Sequence, residues 1–193
     1  TFINLMTKFS NPVLGILAGA LFTAVIQSSS ASVGILQALA GSGVIGLSQA
    51  VYVLFGQNIG TCITAVLASI GTARNAKRTT IIHLLFNIIG TTIFTIVCIL
   101  TPFAAFVESL TPDNVAAQIA NMHTIFNITT TILLLPFGTY LAKIATKILP
   151  DLPEEKSDVM HLEYIRPIPI ENRGETKIGL SAIAVNAIKN ELL

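Results

Sequence analysis

Two polar runs interrupt the apolar stretches of this chain, and both are made of groups that can hold ions. Gln27-Ser28-Ser29-Ser30 sets a carboxamide and three hydroxyls in succession. Hydroxyls donate to an oxyanion and accept from a cation, so the run suits either charge. Four consecutive side chains cannot aim at one point from a regular helix, because their directions fan around its axis. A shared target therefore requires unwound backbone or the main-chain N–H groups. If a half-helix begins near Ser30, its free N–H groups and positive dipole end face the preceding loop, which makes an anion site. The plainer alternative is that the serines only let helices pack closely.

The second run is Asn58-Ile59-Gly60-Thr61-Cys62-Ile63-Thr64. Gly56 and Gly60 permit positive φ and close backbone approach. Thr61 and Thr64 share a face if the chain is helical from Cys62 onward. Freed carbonyls and threonine hydroxyls are oxygen ligands fit for a hard monovalent cation. The alternative is a glycine-loosened helix whose threonines bond back to their own carbonyls. A third signal is an echo: His83-Leu84-Leu85-Phe86-Asn87 recurs as His123-Thr124-Ile125-Phe126-Asn127. Each places His and Asn four apart on one helix face. Hydrogen bonding that locks a helix bundle accounts for these pairs, and a ligand or proton role is the alternative.

The elements that carry these residues belong in a membrane. Of the 193 residues 52% are hydrophobic and 11% charged, and mean hydropathy is +0.75. Soluble domains carry roughly 25% charged residues. From Phe9 to Ala73 there is no Asp, Glu, Lys or Arg, and Thr79–Val107 and Asn114–Ala142 are equally free of charge. Each exceeds the ~20 residues that cross a bilayer. Most of the charge lies from Asp151 to Leu193, a segment that reads as soluble. Net charge of +1 gives no reason to expect nucleic acid. Cys62 and Cys98 both fall in membrane stretches, so neither a disulfide framework nor a metal site is indicated.

Arg74, Lys77 and Arg78 cluster between apolar stretches, and Lys143 and Lys147 close the last one. Glu108 and Asp113 occupy a loop without basic residues. Basic short loops stay in the cytoplasm, so a helix over about Thr79–Leu100 runs outward and one over about Met122–Ile148 returns. The tail is then cytoplasmic. Before Arg74, a break at Gln27–Ser32 and another at Gly56–Thr61 are expected. The arms around the first, each half a crossing long, form a re-entrant hairpin or one broken helix, and the hairpin is favoured. Irregular backbone at membrane depth survives only where protein buries it or a wet cavity meets it. Two breaks within about thirty residues point to a site built from discontinuous helices, as in secondary transporters. No span carries a fixed charge, so an anion there draws on dipoles, hydroxyls and a co-bound cation. The class expected is an all-α membrane protein with discontinuous helices, a re-entrant hairpin and two full transmembrane helices.

These residues resemble the type II sodium/phosphate cotransporter family, and in particular its bacterial branch with a cytoplasmic PhoU-like tail. That family carries Gln-Ser-Ser-Ser followed by Asn-Ile-Gly-Thr in each of two inverted repeats. Here Gln27–Ser30, Asn58–Thr61 and His83–Asn87 resemble the second repeat, over about Asn11–Ile148. The resemblance implies a multi-pass protein of the inner membrane that couples sodium to inorganic phosphate, with no cofactor and no enzymatic step. It implies sodium ligands at Gln27, Ser28, Thr61 and Thr64, phosphate contacts at Ser28, Ser29, Ser30 and Asn58, and supporting roles for His83, Asn87, His123 and Asn127. Cys62 replaces a hydroxyl common in the motif. Residues 1–149 are then the transmembrane half-transporter. Residues 150–193 are a cytoplasmic linker and the start of a PhoU-like helical region.

Other classes explain less. A membrane-anchored phosphate sensor acting through its tail would use the apolar half only as an anchor. A serine hydrolase would need a nucleophile elbow and a partnered His, which Ser28–Ser30 lack. Only one Gln-Ser-Ser-Ser occurs and the first residue is Thr, so a fragment of a longer transporter is expected. Its partners are the lipid bilayer and either the missing first repeat or a second copy. The orientation has a direct check. In a Cys-free background, a single cysteine near Asp113 is expected to react with impermeant maleimide from outside the cell, and one near Asn75 is not. The reverse pattern overturns the topology.

Overall fold

The computed structural model describes residues 10–151, and all their regular elements are helical. Sequence expectations for residues 152–193, including the PhoU-like region, lie outside the described residues. The helices are α1 (Pro12–Ile26), α2 (Ser29–Gly41), α3 (Leu47–Ala68), α4 (Arg74–Leu100), α5 (Phe103–Leu110), α6 (Val115–Leu134) and α7 (Gly138–Ile148). A 3-10 turn over Leu135–Phe137 joins the last two. Three segments are long and apolar enough to cross a membrane: Leu47–Ala68, Arg74–Leu100 and Val115–Ile148.

Local chemistry sets the ends of α1 and α2. Asn11 Oδ1 accepts from Val13 N at 3.1 Å and Leu14 N at 3.2 Å, and Pro12 has no N–H to satisfy at the first helical position. α1 stops because Gln27 turns left-handed at φ 58, the one non-glycine residue with positive φ among those described. Ser28 is extended and caps α2, with its Oγ accepting from Ala31 N at 3.3 Å. α2 ends where Gly43 takes φ +75. Val44 N then bonds Leu39 O and Gly43 N bonds Ala40 O, the paired closure of a Schellman motif.

Side-chain contacts fix the helix directions. Gly56 lies against Ile16, and Gly60 lies against Ala20 and Thr23, so α1 and α3 run parallel. α2, tied to α3 through Ser32 and Gln57 and returned by a short turn, runs antiparallel to both. The α1–α2 pair is therefore the hairpin expected from sequence. At 15 and 13 residues its arms are about 22 and 20 Å long, too short for a crossing. Thr23 meets Gly60, and the tip at Gln27–Ser28 lies about one turn further along, toward the C-terminal end of α3.

The second expected break is absent. α3 is continuous through Gly56–Thr61, because the glycines serve another purpose. A β-carbon at Gly56 would strike the Ile16 carbonyl, one at Gly60 the Ala20 carbonyl, and one at Gly19 of α1 the Val53 carbonyl. Small residues here let two backbones touch. The return helix also differs from expectation. It starts at Val115, where Asn114 Oδ1 caps Ala117 N at 2.9 Å, and it breaks at Leu135–Phe137, where Pro136 has no N–H to give. α4 and this return helix are antiparallel along their whole length. Phe94 meets Phe126 with ring centroids 5.0 Å apart, and Gly90 faces Thr130. Lower down, Arg78 Nε reaches Leu149 O at 3.0 Å and Arg74 Nη1 reaches Pro150 O at 2.8 Å.

α3 is laced to α4 by Thr91 Oγ1 donating to Phe55 O at 3.1 Å and Thr80 Oγ1 to Ala65 O at 3.3 Å. Phe55 stacks on Phe126 at 5.1 Å, so three crossings meet at one aromatic cluster. Outward-facing Val13, Leu17, Leu21 and Val25 follow a spacing of four on α1 and are exposed, as an apolar surface in a membrane is. The glycine contact is testable. Gly56→Ala is expected to destabilise by about 1–3 kcal/mol through overpacking and to lower the thermal midpoint in detergent. Gly138 is helical at φ −55 with nothing near its missing β-carbon. Gly138→Ala is therefore expected to raise the midpoint slightly, by up to about 1 kcal/mol. Equal midpoints would show that the α1–α3 contact is not tight.

Candidate functional site

The hairpin tip brings the two polar runs to one depth. Ser29 and Ser30 open α2, where the first N–H groups have no intrahelical acceptor. Ala31 N is taken by Ser28 Oγ and Ser32 N by Ser28 O. That leaves the N–H groups of Ser29 and Ser30 pointing out of the helix end, beside their own hydroxyls. Gln27, Ser28 and Ser30 are exposed and Ser29 is half-buried. Their setting is a helix N-terminus at the turn of the hairpin, with its dipole aimed at the tip.

Asn58, Thr61 and Thr64 lie on unbroken α3 and bond locally. Asn58 Nδ2 donates to Leu54 O at 3.1 Å, Thr61 Oγ1 to Gln57 O at 2.9 Å, and Thr64 Oγ1 to Thr61 O at 2.9 Å. This is the back-bonded arrangement set out above as the alternative for the threonines. It has a chemical consequence. A hydroxyl that gives its proton to a carbonyl has only lone pairs left, so it can accept from a donor or ligate a cation but cannot donate to an anion. The hydroxyl of Ser28 accepts from Ala31 N and keeps its own proton to give.

The His–Asn echo is structural in form. Asn87 Nδ2 donates to His83 O at 2.9 Å, and Asn127 Nδ2 to His123 O at 2.8 Å. The α4 pair is level with the second polar run, since Cys62 Sγ lies 3.8 Å from His83 O. The α6 pair brackets Phe126 within the aromatic cluster, so the two pairs serve different levels of the bundle.

Two residues absent from the sequence-derived site connect its halves. Gln57, 2% exposed, reaches from α3 to α2 and donates Nε2 to Ser32 O at 3.1 Å. That bond holds the first turn of α2 against the middle of α3. Gln57 Oε1, Ser32 Oγ and Thr23 Oγ1 are buried with no hydrogen-bond partner among the described residues. Gln57 and Ser32 line a cleft of about 200 Å³ between α1, α2 and α3, walled by Phe22, Leu36, Ile45 and Val53. The available signal was position: Gln57 falls one turn before Thr61, between Gly56 and Asn58, on a helix otherwise poor in long polar side chains.

The comparisons with known proteins bear on the family. The family model described as Na+/Pi-cotransporter matches residues 1–143. The uncharacterised Bacillus subtilis protein YqeW is 40% identical over 135 residues, covering 70% of this chain and 43% of its own length. The human sodium-dependent phosphate transport protein 2B is 42% identical over 81 residues, covering 40% of this chain and 12% of its own. The rat sodium-dependent phosphate transport protein 2A is 39% identical over 61 residues, covering 32% and 10%. The chain thus spans less than half the length of these relatives. No solved structure matches. With the hairpin, the capped serine helix and the family match together, the chain belongs to the Na+/Pi-cotransporter family of membrane proteins.

Proposed function

We propose that this chain forms part of a sodium-coupled transporter of inorganic phosphate in the cytoplasmic membrane, with its tail on the cytoplasmic side. The observation that carries the reading is the N-terminus of α2 at the turn of a hairpin too short to span a membrane, capped by Ser28 and opened by Ser29 and Ser30. Phosphate accepts from the free N–H groups and hydroxyls of Ser28, Ser29 and Ser30, in the manner of other anions at helix N-termini. Asn58 stands at the same depth, although its amide is engaged with Leu54 O. It contributes through whatever capacity that bond leaves.

Sodium is assigned to Gln27, Ser28, Thr61 and Thr64. Back-bonding supports the two threonines, because their protons are committed and their lone pairs are free. The left-handed backbone of Gln27 sets its side chain apart from the regular spacing of α1. His83, Asn87, His123 and Asn127 act as supports for the helices that hold the ions. The family names in the comparisons speak of phosphate and sodium, and no formal charge lies between Phe9 and Ala73 that would serve an anion instead.

The assignment divides mutants into two kinds. Thr64→Ala is expected to raise mainly the sodium concentration for half-maximal transport, and Ser29→Ala mainly the phosphate concentration. Loss of one hydrogen bond to a charged group costs about 1.5–3 kcal/mol, roughly ten- to a hundredfold in affinity. Radiolabelled phosphate flux by the full-length protein in liposomes, titrated in each ion, reads both. Parent-like behaviour of both mutants would reduce the serine run and the threonines to packing features. Phosphate flux by the parent that ignores sodium would remove the coupling.

A further inference from the structure

Two basic stretches about seventy residues apart meet at one end of the α4–α7 pair. Arg74, Lys77 and Arg78 open α4, and Lys143 and Lys147 lie on α7. The antiparallel pairing puts the end of α7 beside the start of α4, and Arg78 and Arg74 fix it there by bonding the Leu149 and Pro150 carbonyls. Both arginines are thus engaged in structure. Lys143 and Lys147 are exposed, four apart on one helix face, while Leu141 and Ala145 turn inward. Among the described residues Glu108 and Asp113 lie at the opposite end of α4, and Asp151 follows Pro150 at this one. On α7 itself Tyr140, one turn before Lys143, and Ile148, next to Lys147, are exposed as well.

Lysines on a helix that also exposes an aromatic and an aliphatic side chain beside them have the arrangement of a headgroup contact. We propose that Lys143 and Lys147 bind the headgroup of an anionic phospholipid whose acyl chains lie along Tyr140 and Ile148. Charge complementarity supplies the attraction, and the long lysine side chains reach the headgroup level while their methylenes stay on the apolar surface. The apolar flank favours a lipid over free phosphate, which would gain nothing from it. The site is separate from the hairpin tip and does not depend on the transport reading.

Native mass spectrometry of the purified full-length protein tests it, with phosphatidylglycerol and phosphatidylcholine offered together. The parent is expected to retain phosphatidylglycerol in preference. Lys143→Gln with Lys147→Gln should weaken that preference by about fivefold per lysine. The same positions changed to Arg should keep it. These variants leave Arg74, Lys77 and Arg78 in place, so the orientation signal and the α7 clasp are preserved. Excess inorganic phosphate should not displace the lipid. Equal retention by the glutamine variant, or displacement by phosphate, overturns the proposal.

Discussion

The close approach of α1 to α3 is the constraint on which the site depends. In a bilayer, apolar side chains gain little by meeting each other instead of lipid tails, so helices associate through tight packing and hydrogen bonds. Gly19, Gly56 and Gly60 remove the side chains that would hold the two backbones apart. An element of 15 residues cannot anchor itself by spanning the membrane, so its depth must come from what it packs on. Parallel packing on α3 sets that depth: Thr23 meets Gly60, and the tip lies about one turn beyond it. From there Ser28 starts a new helix whose first turn is tied to α3 through Ser32 and Gln57.

Once the tip is placed, most of the polar groups around it have a defined state. Asn58, Thr61 and Thr64 satisfy themselves within α3, which lets the helix stay intact where two glycines would otherwise loosen it. Gln57 spends its amide on α2, coupling the helix end to the same stretch of α3. The first turn of α2 and the second polar run therefore move as one piece. A displacement of α3 relative to its neighbours would carry the serine helix end with it. Buried oxygens without partners remain at Gln57, Ser32 and Thr23, and in a low-dielectric interior such atoms are the ones with capacity left to bind.

Much of this was legible from residue types. The charge-free stretches gave the crossings, and the serine run interrupting an apolar segment gave the hairpin and its tip. The misread element was α3. Glycines in Gly56–Thr61 look like an unwinding signal, but the same residues serve as a contact surface, and only the partner helix decides between the two. Gly15 and Gly19 on α1, spaced like Gly56 and Gly60, held the clue to that partner. The start of the return helix at Val115 was missed because Asn114 caps it from within a loop judged by its charges. Gln57 was passed over because a side chain that bridges helices leaves no periodic trace; its importance exists only in the packed state.

The electrostatics of the proposed site say why sodium and phosphate would travel together. No formal charge lies between Phe9 and Ala73, so nothing permanent balances an anion at the α2 N-terminus. The helix dipole contributes about 0.3–1 kcal/mol, and up to ~2 when partly buried. A cation 4 Å away contributes about 4 kcal/mol at an effective dielectric constant of 20, roughly a thousandfold in affinity. The co-bound ion therefore outweighs the dipole, and each ion raises the affinity for the other by the same factor. A lysine or arginine in the site would supply that charge permanently and would weaken the dependence on sodium. In the proposed site the lack of fixed charge in these apolar stretches would thus make coupling strong, while the serine helix end would set where the anion sits.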